Sequence, residues 1–218
     1  ENIASTNWHA SASVLALHMQ DALFVDIGST TTDIIAIKDG KVVCAGLSDA
    51  YRLTADSLIY SGVVRTPVMA LAQKLSLEGN KINVAAEYFA TMADVYRLTG
   101  ELLPEYDTTE TADGKGKKPL ETARRLARMI GHDVVASDDA KKWIKLALTC
   151  RDLQIQQIKS AMLKQWKPNI PIIGTGAGSF LVKAIADDLG CRFVRAYELI
   201  SMRFAGQSNL VIQHDIQV

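Results

Sequence analysis

Acidic and hydroxyl side chains surround one glycine near the start of the chain, in the run Asp26-Ile27-Gly28-Ser29-Thr30-Thr31-Thr32-Asp33. Apolar residues 22–25 precede this run and 34–37 follow it, which predicts a strand, a tight turn and a second strand. A glycine in the turn lets the backbone approach a bulky ligand, and successive N–H and hydroxyl groups can form a concavity for phosphate oxygens. Carboxylates at both ends suit a phosphate only when a cation such as Mg²⁺ accompanies it.

We therefore predict a phosphate or diphosphate site in this run. The residues expected to contact the phosphate are Gly28, Ser29, Thr30, Thr31 and Thr32, while Asp26 and Asp33 are expected to hold the metal ion. The alternative is an ordinary hairpin whose threonines suit a β-strand. Asp26 argues against this alternative, because a carboxylate that ends an apolar strand is costly unless it has a partner.

A second glycine-rich turn, Gly174-Thr175-Gly176-Ala177-Gly178, follows an apolar pair and precedes a predicted helix. The N-terminus of a helix offers free N–H groups and partial positive charge, so Gly174, Gly176 and Gly178 are predicted to bind phosphate as well. The run lacks a full dinucleotide fingerprint and the lysine of a P-loop. The alternative is a turn that only permits close packing of the helix on the strand.

Two carboxylates, Glu87 and Asp94, fall seven residues apart in a helix predicted over residues 83–99 and would therefore share one side of it. Such a pair could bind a cation or accept a proton from a hydroxyl group. The alternative is a solvated acidic face that pairs with Arg97.

Arginines supply the candidate positive charges. The following helix carries Arg124, Arg125 and Arg128, whose spacing predicts a compact basic edge able to clamp a phosphate. Arg65, which precedes Thr66-Pro67, is open to the same interpretation. Surface ion pairs are the alternative for all four residues.

Composition excludes several function classes. The 218 residues are 48% hydrophobic and 22% charged, and 24 basic residues balance 24 acidic ones. No global positive field therefore attracts nucleic acid or an anionic membrane, and no apolar run is long enough to cross a bilayer. The three scattered cysteines follow no metal-ligand spacing and suit the reducing cytoplasm. The four histidines show no ligand spacing and no nucleophile triad.

The pattern of apolar residues and turns predicts an α/β protein with an antiparallel start. An Asp39-Gly40 pair between two short strands is a strong hairpin signal. The stretch 101–119 is too long for a simple connector and is expected to be a functional or disordered loop. The predicted helices cover about 5–19, 68–75, 83–99, 120–130, 140–166 and 180–189, and the predicted strands 22–28, 32–38, 41–47, 170–173 and 192–194.

The acidic turn resembles the second phosphate-binding hairpin of the superfamily that includes actin, sugar kinases and heat-shock chaperones. Its amino-acid sequence is most similar to that of the hydantoinase/oxoprolinase branch. Residues 174–178 fall where that superfamily places its adenosine-contacting turn. The resemblance implies an actin-like ATPase lobe of ribonuclease H-like type, with a mixed sheet, antiparallel first strands, flanking helices and a helical insertion. Whether ATP binds stays open.

Four further stretches resemble a narrower family, the methanofuran-biosynthesis synthases linked to tetrahydromethanopterin-dependent one-carbon transfer. These stretches are Tyr60-Ser61-Gly62-Val63-Val64-Arg65-Thr66-Pro67, residues 87–96, Thr111-Ala112-Asp113-Gly114 and residues 125–131. The resemblance implies a transferase that joins an aminomethylfuran diphosphate to the phenol of a tyramine or tyrosine-type acceptor and releases diphosphate. It implies that Mg²⁺ and the acidic turn hold the diphosphate, that Arg65 or Arg128 neutralises it, and that Glu87 or Asp94 takes the phenol proton.

The superfamily opens with a first phosphate turn on an N-terminal lobe, and no such turn precedes Asn7 here. We expect residues 1–20 to include a helix from that lobe, residues 21–218 to form the C-terminal lobe, and about 54–136 to be inserted in it. The chain alone is then expected to be inactive. An ATP-dependent phosphotransferase, a hydantoinase/oxoprolinase-like enzyme and a non-catalytic nucleotide-binding protein are the rival functions. The expected partners are small molecules, without nucleic acid or membrane, and a homodimer stays open.

Overall fold

The computed structural model describes residues 7–44, 46–135 and 139–201. The chain forms two compact units. The first, the sheet unit, comprises Glu1–Asp26, Asp33–Leu58 and Met162–Val218, and the second, the inserted unit, comprises Ile27–Thr32 and Ile59–Ala161.

Helices and strands alternate along most of the chain. The α-helices are α1 Asn7–Ala16, α2 Asp49–Thr54, α3 Met92–Thr99, α4 Pro119–Arg128, α5 Ala140–Met162 and α6 Ser179–Asp188. The strands are β1 Ala22–Ile27, β2 Thr32–Lys38, β3 Lys41–Val43, β4 Leu58–Ile59, β5 Lys74–Leu77, β6 Asn80–Asn83, β7 Ile172–Thr175 and β8 Phe193–Arg195. Single turns of 3₁₀-helix occur at Val68–Ala70 and Pro104–Tyr106.

A mixed sheet organises the sheet unit, with the strand order β3-β2-β1-β7-β8 and with β4 paired to β2. Strand β2 runs antiparallel to β3, whereas β7 lies between β1 and β8 and is parallel to both. Residues 22–25 of β1 are all buried, as expected for a central strand that is covered on both faces. The predicted α/β class with a mixed sheet and flanking helices is therefore confirmed.

One core cluster holds α1 against this sheet. It combines Trp8, Ala12 and Leu15 from the helix with buried strand residues such as Phe24 and Ile173. The small Ala12 is fully buried, so the helix can approach the sheet closely. Residues 5 and 6, at which the predicted helix begins, lie outside the described residues.

The predicted Asp39-Gly40 hairpin is confirmed. Both residues have positive φ, 52° and 69°, which is the backbone geometry of a type I′ turn. The turn joins β2 to β3, and their register pairs Lys38 with Lys41. Strand β3 ends at Val43, four residues before the predicted end.

The inserted unit packs helices around aromatic and aliphatic side chains. Helix α3 contacts α4, and the buried residues include Tyr96 from α3 and Trp143 from α5. A two-stranded hairpin, β5–β6, turns at Glu78 and Gly79, whose φ values of 50° and 85° again indicate a type I′ turn.

Two predicted helices are wrong in this unit. The region predicted as a helix over 68–75 is a single 3₁₀ turn followed by β5. The helix predicted over 83–99 begins only at Met92, because β6 continues to Asn83 and residues 84–91 form an irregular connection. Its predicted end is correct, since Gly100 caps α3 with a φ of 76°.

Ion pairs tie the long loop of residues 101–118 to the helices beside it. Arg97 holds both carboxylate oxygens of Asp107, at 2.8 and 2.5 Å, and Lys117 adds a contact at 2.9 Å. The hydrogen bond from Arg97 lowers the pKa of Asp107. Farther along, Arg125 reaches Asp113 Oδ1 at 3.1 Å and the carbonyl of Gly116 at 3.0 Å.

None of the helices in the described ranges combines the length and the apolar character that crossing a bilayer requires.

Candidate functional site

The turn after β1 has bonded carbonyls at residues 28, 29 and 31, whereas the N–H groups of residues 29–31 have no acceptor among the described residues. Gly28 N–H donates to the Thr31 carbonyl at 2.9 Å, which closes the turn. The carbonyl of Gly28 accepts from Val63 N–H at 3.0 Å. The carbonyl of Ser29 accepts from the N–H groups of residues 64 and 65, at 3.1 and 2.8 Å.

The N–H groups of Ser29, Thr30 and Thr31 donate to no acceptor among the residues that the structure describes. The hydroxyls of Ser29 and Thr30 contact each other at 3.4 Å, and these side chains are half-buried. Successive unpaired N–H groups beside hydroxyls, with the carbonyls of residues 28, 29 and 31 already bonded, form a concavity of positive potential that suits an anion. The turn therefore has the donor arrangement that a phosphate group needs.

Residues 61–66, here called the supporting loop, lie directly behind this turn. A Cβ atom added to Gly62 would lie only 2.4 Å from the Ser29 carbonyl carbon and from the Thr30 nitrogen. Position 62 therefore requires glycine, because the backbone of the turn occupies the space that a side chain would need. The N–H of Gly62 donates to Thr66 Oγ1 at 2.7 Å, which keeps the loop compact.

Thr32 belongs to this support, and its prediction as a phosphate contact is wrong. Its side chain is fully buried, and its hydroxyl donates to the Ser61 carbonyl at 2.6 Å. The reason is the alternation of a β-strand. Thr32 is the first residue of β2 and points to the buried side, whereas the half-buried Thr31 precedes the strand.

Among the candidate arginines, Arg65 is the one that lies next to the turn. Its backbone N–H donates to the Ser29 carbonyl, as described above, and its side chain is exposed. No described residue pairs with its guanidinium group. It is therefore available to neutralise an anion on the turn.

In the sheet unit, Asp26 lies near the carboxyl end of β1, and its register partner is Thr175 of β7. Asp26 thus shares one edge of the sheet with the second glycine turn. Carboxyl ends of adjacent parallel strands are a common place for a ligand in open α/β sheets.

The Asp26 carboxylate is half-buried and receives no hydrogen bond from any described residue. Burial first, and then the charge of Asp33, raises its pKa to about 6. Burial also raises the pKa of Asp33, and this is opposed by an ion pair with the guanidinium group of Arg52. Arg52 is itself buried and lies 4.0 Å from the centre of the Trp8 ring.

Asp26, which no described residue contacts through a hydrogen bond, could ligate a hard divalent cation, whereas Asp33 is already paired with Arg52. Across the described ranges, no three His, Cys, Asp or Glu side chains converge as a complete metal cage. Mg²⁺ is commonly held by one or two carboxylates, with substrate phosphates and water completing its octahedron. A carboxylate without a protein donor, beside a second carboxylate, fits that pattern.

The three glycines of the second turn occupy their positions for different structural reasons. A Cβ on Gly174 would lie 2.6 Å from the Phe193 ring, so this glycine permits close packing. Gly176 is exposed with a φ of 81°, and Gly178 is the N-cap of α6. The packing interpretation is correct for Gly174, whereas Gly176 and Gly178 stay candidates for binding a ligand.

The predicted carboxylate pair on one helix face does not exist. Glu87 is exposed in the connection before α3, so it shares no helix with Asp94. Asp94 is 1% exposed, and its oxygens accept from Thr91 N–H at 3.2 Å, Arg97 at 2.8 Å and Arg125 at 2.9 Å. A carboxylate so fully occupied cannot serve as a general base, and the catalytic role predicted for Asp94 is wrong.

The predicted basic edge on α4 is also wrong as a single surface. Arg125 is buried in the ion pairs with Asp94 and Asp113, whereas Arg124 and Arg128 are exposed. Arg128 remains available as a candidate, since no described residue pairs with its side chain.

Sequence reasoning missed Arg52 and the polar residue Gln154. A signal for Gln154 was present, because it interrupts an apolar stripe of α5 in which Leu146, Cys150 and Ile158 are buried. A polar side chain at such a position is buried and must find hydrogen-bond partners.

Fold and turns together define a mixed α/β protein whose strands β1 and β7 are each followed by a glycine-containing turn. The chain belongs to the hydantoinase/oxoprolinase family, whose profile matches residues 1–205. The predicted resemblance to this branch is thereby confirmed.

Two curated relatives share one name. Both are synthases of a furan-2-yl methanamine that carries a phenoxymethyl group with a 2-(gamma-L-glutamylamino)ethyl substituent. The relative from Methanocaldococcus jannaschii is 34% identical over 206 residues, which cover 93% of this chain and 59% of the relative. The relative from Methanococcus vannielii is 31% identical over 163 residues, which cover 72% of each chain. The chain thus spans about three-fifths of the length of the first relative.

Proposed function

We propose that this protein is a transferase of methanofuran biosynthesis. It joins an aminomethylfuran that carries a diphosphate to the phenol of a glutamyl-tyramine-type acceptor. The name shared by the two relatives supports this proposal, because a phenoxymethylfuran contains the aryl ether that such a coupling forms.

The coupling exchanges one carbon–oxygen bond for another and moves one proton. The phenol oxygen bonds to the methylene carbon of the furan, and the methylene–oxygen bond to the diphosphate breaks with its electron pair on the diphosphate. The phenol proton passes to a base. The protein must therefore stabilise charge on the leaving diphosphate and provide an acceptor for one proton.

The turn of residues 28–31 carries the proposal. Its unpaired N–H groups are fixed in place before the ligand arrives, since the carbonyls of Gly28 and Ser29 are already bonded to the supporting loop. Preorganised donors of this kind stabilise developing negative charge without the cost of reorganisation. Ser29, Thr30 and Thr31 supply the donors, with Gly28 allowing close approach.

The remaining roles follow from charge and exposure. Asp26, with Asp33 beside it, would hold Mg²⁺, which when bound supplies positive charge to the diphosphate. The exposed guanidinium group of Arg65 or of Arg128 neutralises the leaving group. Glu87, an exposed carboxylate, accepts the phenol proton.

We also propose that the sheet unit is a lobe of the actin-like ATPase type. The order β3-β2-β1-β7-β8 supports this, with antiparallel β3-β2 at one side and parallel β1-β7-β8 at the other. In this interpretation residues 174–178 occupy the place of an adenosine turn, although the proposed reaction consumes no ATP.

Mass spectrometry of the reaction mixture tests the function. The protein in its natural full length, incubated with the two substrates and Mg²⁺, should yield the coupled furan–phenol ether and free diphosphate. The Asp26→Asn protein should lose product by at least about a hundredfold, if the carboxylate anchors the cation. Calorimetric titration should show binding of Mg²⁺–diphosphate by the wild type. Hydrolysis of ATP combined with indifference to diphosphate would contradict the proposal.

A further inference from the structure

A buried glutamine stands behind the supporting loop. Gln154 of α5 is fully buried, and its side-chain amide donates to the Gly62 carbonyl at 3.0 Å and to Ser61 Oγ at 3.1 Å. Both acceptors belong to the loop whose N–H groups hold the carbonyls of the turn. Gln154 thus contacts the supporting loop, and the supporting loop contacts the turn whose N–H groups are proposed to bind diphosphate.

The Gly62 carbonyl determines which way the amide of Gln154 points. A carbonyl can only accept, so the amide nitrogen faces the supporting loop, and the amide oxygen accepts from the Tyr96 hydroxyl. Tyr96 is fully buried, and burial raises the pKa of its hydroxyl well above the usual range. The hydroxyl therefore stays protonated and keeps its role as donor.

Ser61 links this amide to the start of β2. Its hydroxyl accepts from Gln154 and donates to Gln157 Oε1 at 2.9 Å, while its carbonyl accepts the hydroxyl of Thr32. The turn is consequently held from both ends. Residues 63–65 bind its carbonyls, and Ser61 binds the residue that follows it.

We infer that Gln154 is a positioning residue for the turn of residues 28–31. Its hydrogen bonds hold the backbone of Gly62 against the backbone of Ser29 and Thr30. The free N–H groups of the turn are thereby oriented towards the diphosphate. The catalytic meaning of this inference rests on the proposed function. Gln154 itself touches no substrate.

Binding of inorganic diphosphate with Mg²⁺ tests the inference by calorimetry. Gln154→Met keeps the length of the side chain but removes both donors and the acceptor, and should weaken binding about tenfold, as the loss of one or two buried hydrogen bonds does. Tyr96→Phe removes the hydrogen bond to the amide oxygen of Gln154 and should weaken binding by a smaller factor, about threefold. Gln156→Met is the matched control, because Gln156 lies on the exposed side of α5 and should bind as the wild type does.

Amide hydrogen exchange gives a readout that does not depend on the ligand. The N–H groups of Val63, Val64 and Arg65 bond to the turn, and in Gln154→Met they should exchange at least about tenfold faster while the sheet unit is unchanged. Gln156→Met should leave them protected.

The two readouts separate the possible failures. If the wild type binds no diphosphate but exchange at 63–65 responds to Gln154→Met, the proposed function fails and the positioning role stands. If Gln154→Met does not fold, Tyr96→Phe provides both measurements. Wild-type exchange and wild-type affinity in a folded Gln154→Met or Tyr96→Phe protein would overturn the inference.

Discussion

Gly62 is the residue at which the packing behind the turn is tightest. Any side chain there would collide with the backbone of Ser29 and Thr30, which cannot move without breaking the bonds to residues 63–65. We expect Gly62→Ala to displace the turn and to weaken binding of Mg²⁺–diphosphate by at least about tenfold, with an added loss of stability of about 1–3 kcal/mol from overpacking. Calorimetry and urea unfolding measure the two effects.

Gly79→Ala is the control for Gly62→Ala, because a Cβ at Gly79 meets no atom within 4 Å. It should cost stability through its positive φ alone and leave diphosphate binding unchanged. A Gly62→Ala protein that binds diphosphate normally would show that the turn tolerates displacement.

Arg65 has a free charge next to the turn, which makes its effect separable from folding. Arg65→Ala should weaken diphosphate binding about tenfold and make the affinity less dependent on salt, because one screened charge contact is lost. Its free energy of unfolding should change by less than about 0.5 kcal/mol, as for most exposed substitutions.

Arg128→Ala, which also removes an exposed arginine, provides the comparison. The structure connects Arg65, but not Arg128, to the turn through a backbone hydrogen bond. Loss of affinity in Arg128→Ala with normal affinity in Arg65→Ala would transfer the neutralising role to Arg128.

At the scale of elements, the pair formed by Arg125 of α4 and Asp94 of α3 fastens the two helices together. Both side chains are 1% exposed, and Arg125 also reaches the loop at Asp113. Without Arg125, the buried Asp94 carboxylate keeps only Arg97 as a cationic partner, and Asp113 loses its ion pair. We therefore expect Arg125→Met to lower the free energy of unfolding by up to about 3–5 kcal/mol, measured by urea denaturation.

The double variant Arg125→Met/Asp94→Leu should recover part of that stability, because no lone charge stays buried. Equal losses in the single and double variants would mean that packing, not charge, dominates at this position.

Sequence patterns predicted the elements whose signals are local. The Asp39-Gly40 turn, the glycine at the end of α3 and the two-sided apolar β1 each depend on a few neighbouring residues, and each is confirmed. The β5–β6 hairpin was missed because Glu78-Gly79 is a weak turn signal, and its strand residues also suit a helix. Residues 84–91 looked helical because alanines are frequent there, but pairing of Pro67 with Thr91 and other backbone contacts hold them in an irregular path.

The candidate site was predictable only in its residue types. That Thr32 turns inward depends on strand alternation, and that Asp94 does so depends on Arg125, 31 positions away in the chain, which no local pattern reveals. Gln154 acts through residues more than ninety positions away in the chain. Long-range contacts of this kind decide whether a polar side chain binds a ligand or supports the fold.

For the whole molecule, Asp26 should make stability depend on pH in an uncommon direction. Its pKa is raised from 3.8 to about 6, so between these values the folded protein holds a proton that the unfolded chain has released. Stability attributable to Asp26 is then highest below about pH 4, falls as pH rises towards 6, and is lowest above that. The loss should be about 1–2 kcal/mol after allowance for solvent screening.

Asp26→Asn removes this titration. In metal-free buffer the variant should be more stable than the wild type at pH 7.5 and equal to it near pH 4, as measured by thermal unfolding across that range. Parallel pH profiles for the two proteins would show that Asp26 is solvated in the folded state.

The arginine-bound loop of residues 101–118 has a consequence for protein engineering. A stretch without long helices or strands is usually the first choice for trimming when a smaller or more crystallisable variant is wanted. Here the excision would remove Asp107 and Asp113, and would leave the guanidinium groups of Arg97 and Arg125 with Asp94 as their shared carboxylate. Miniaturised versions should therefore retain this segment, or replace both arginines in the same step.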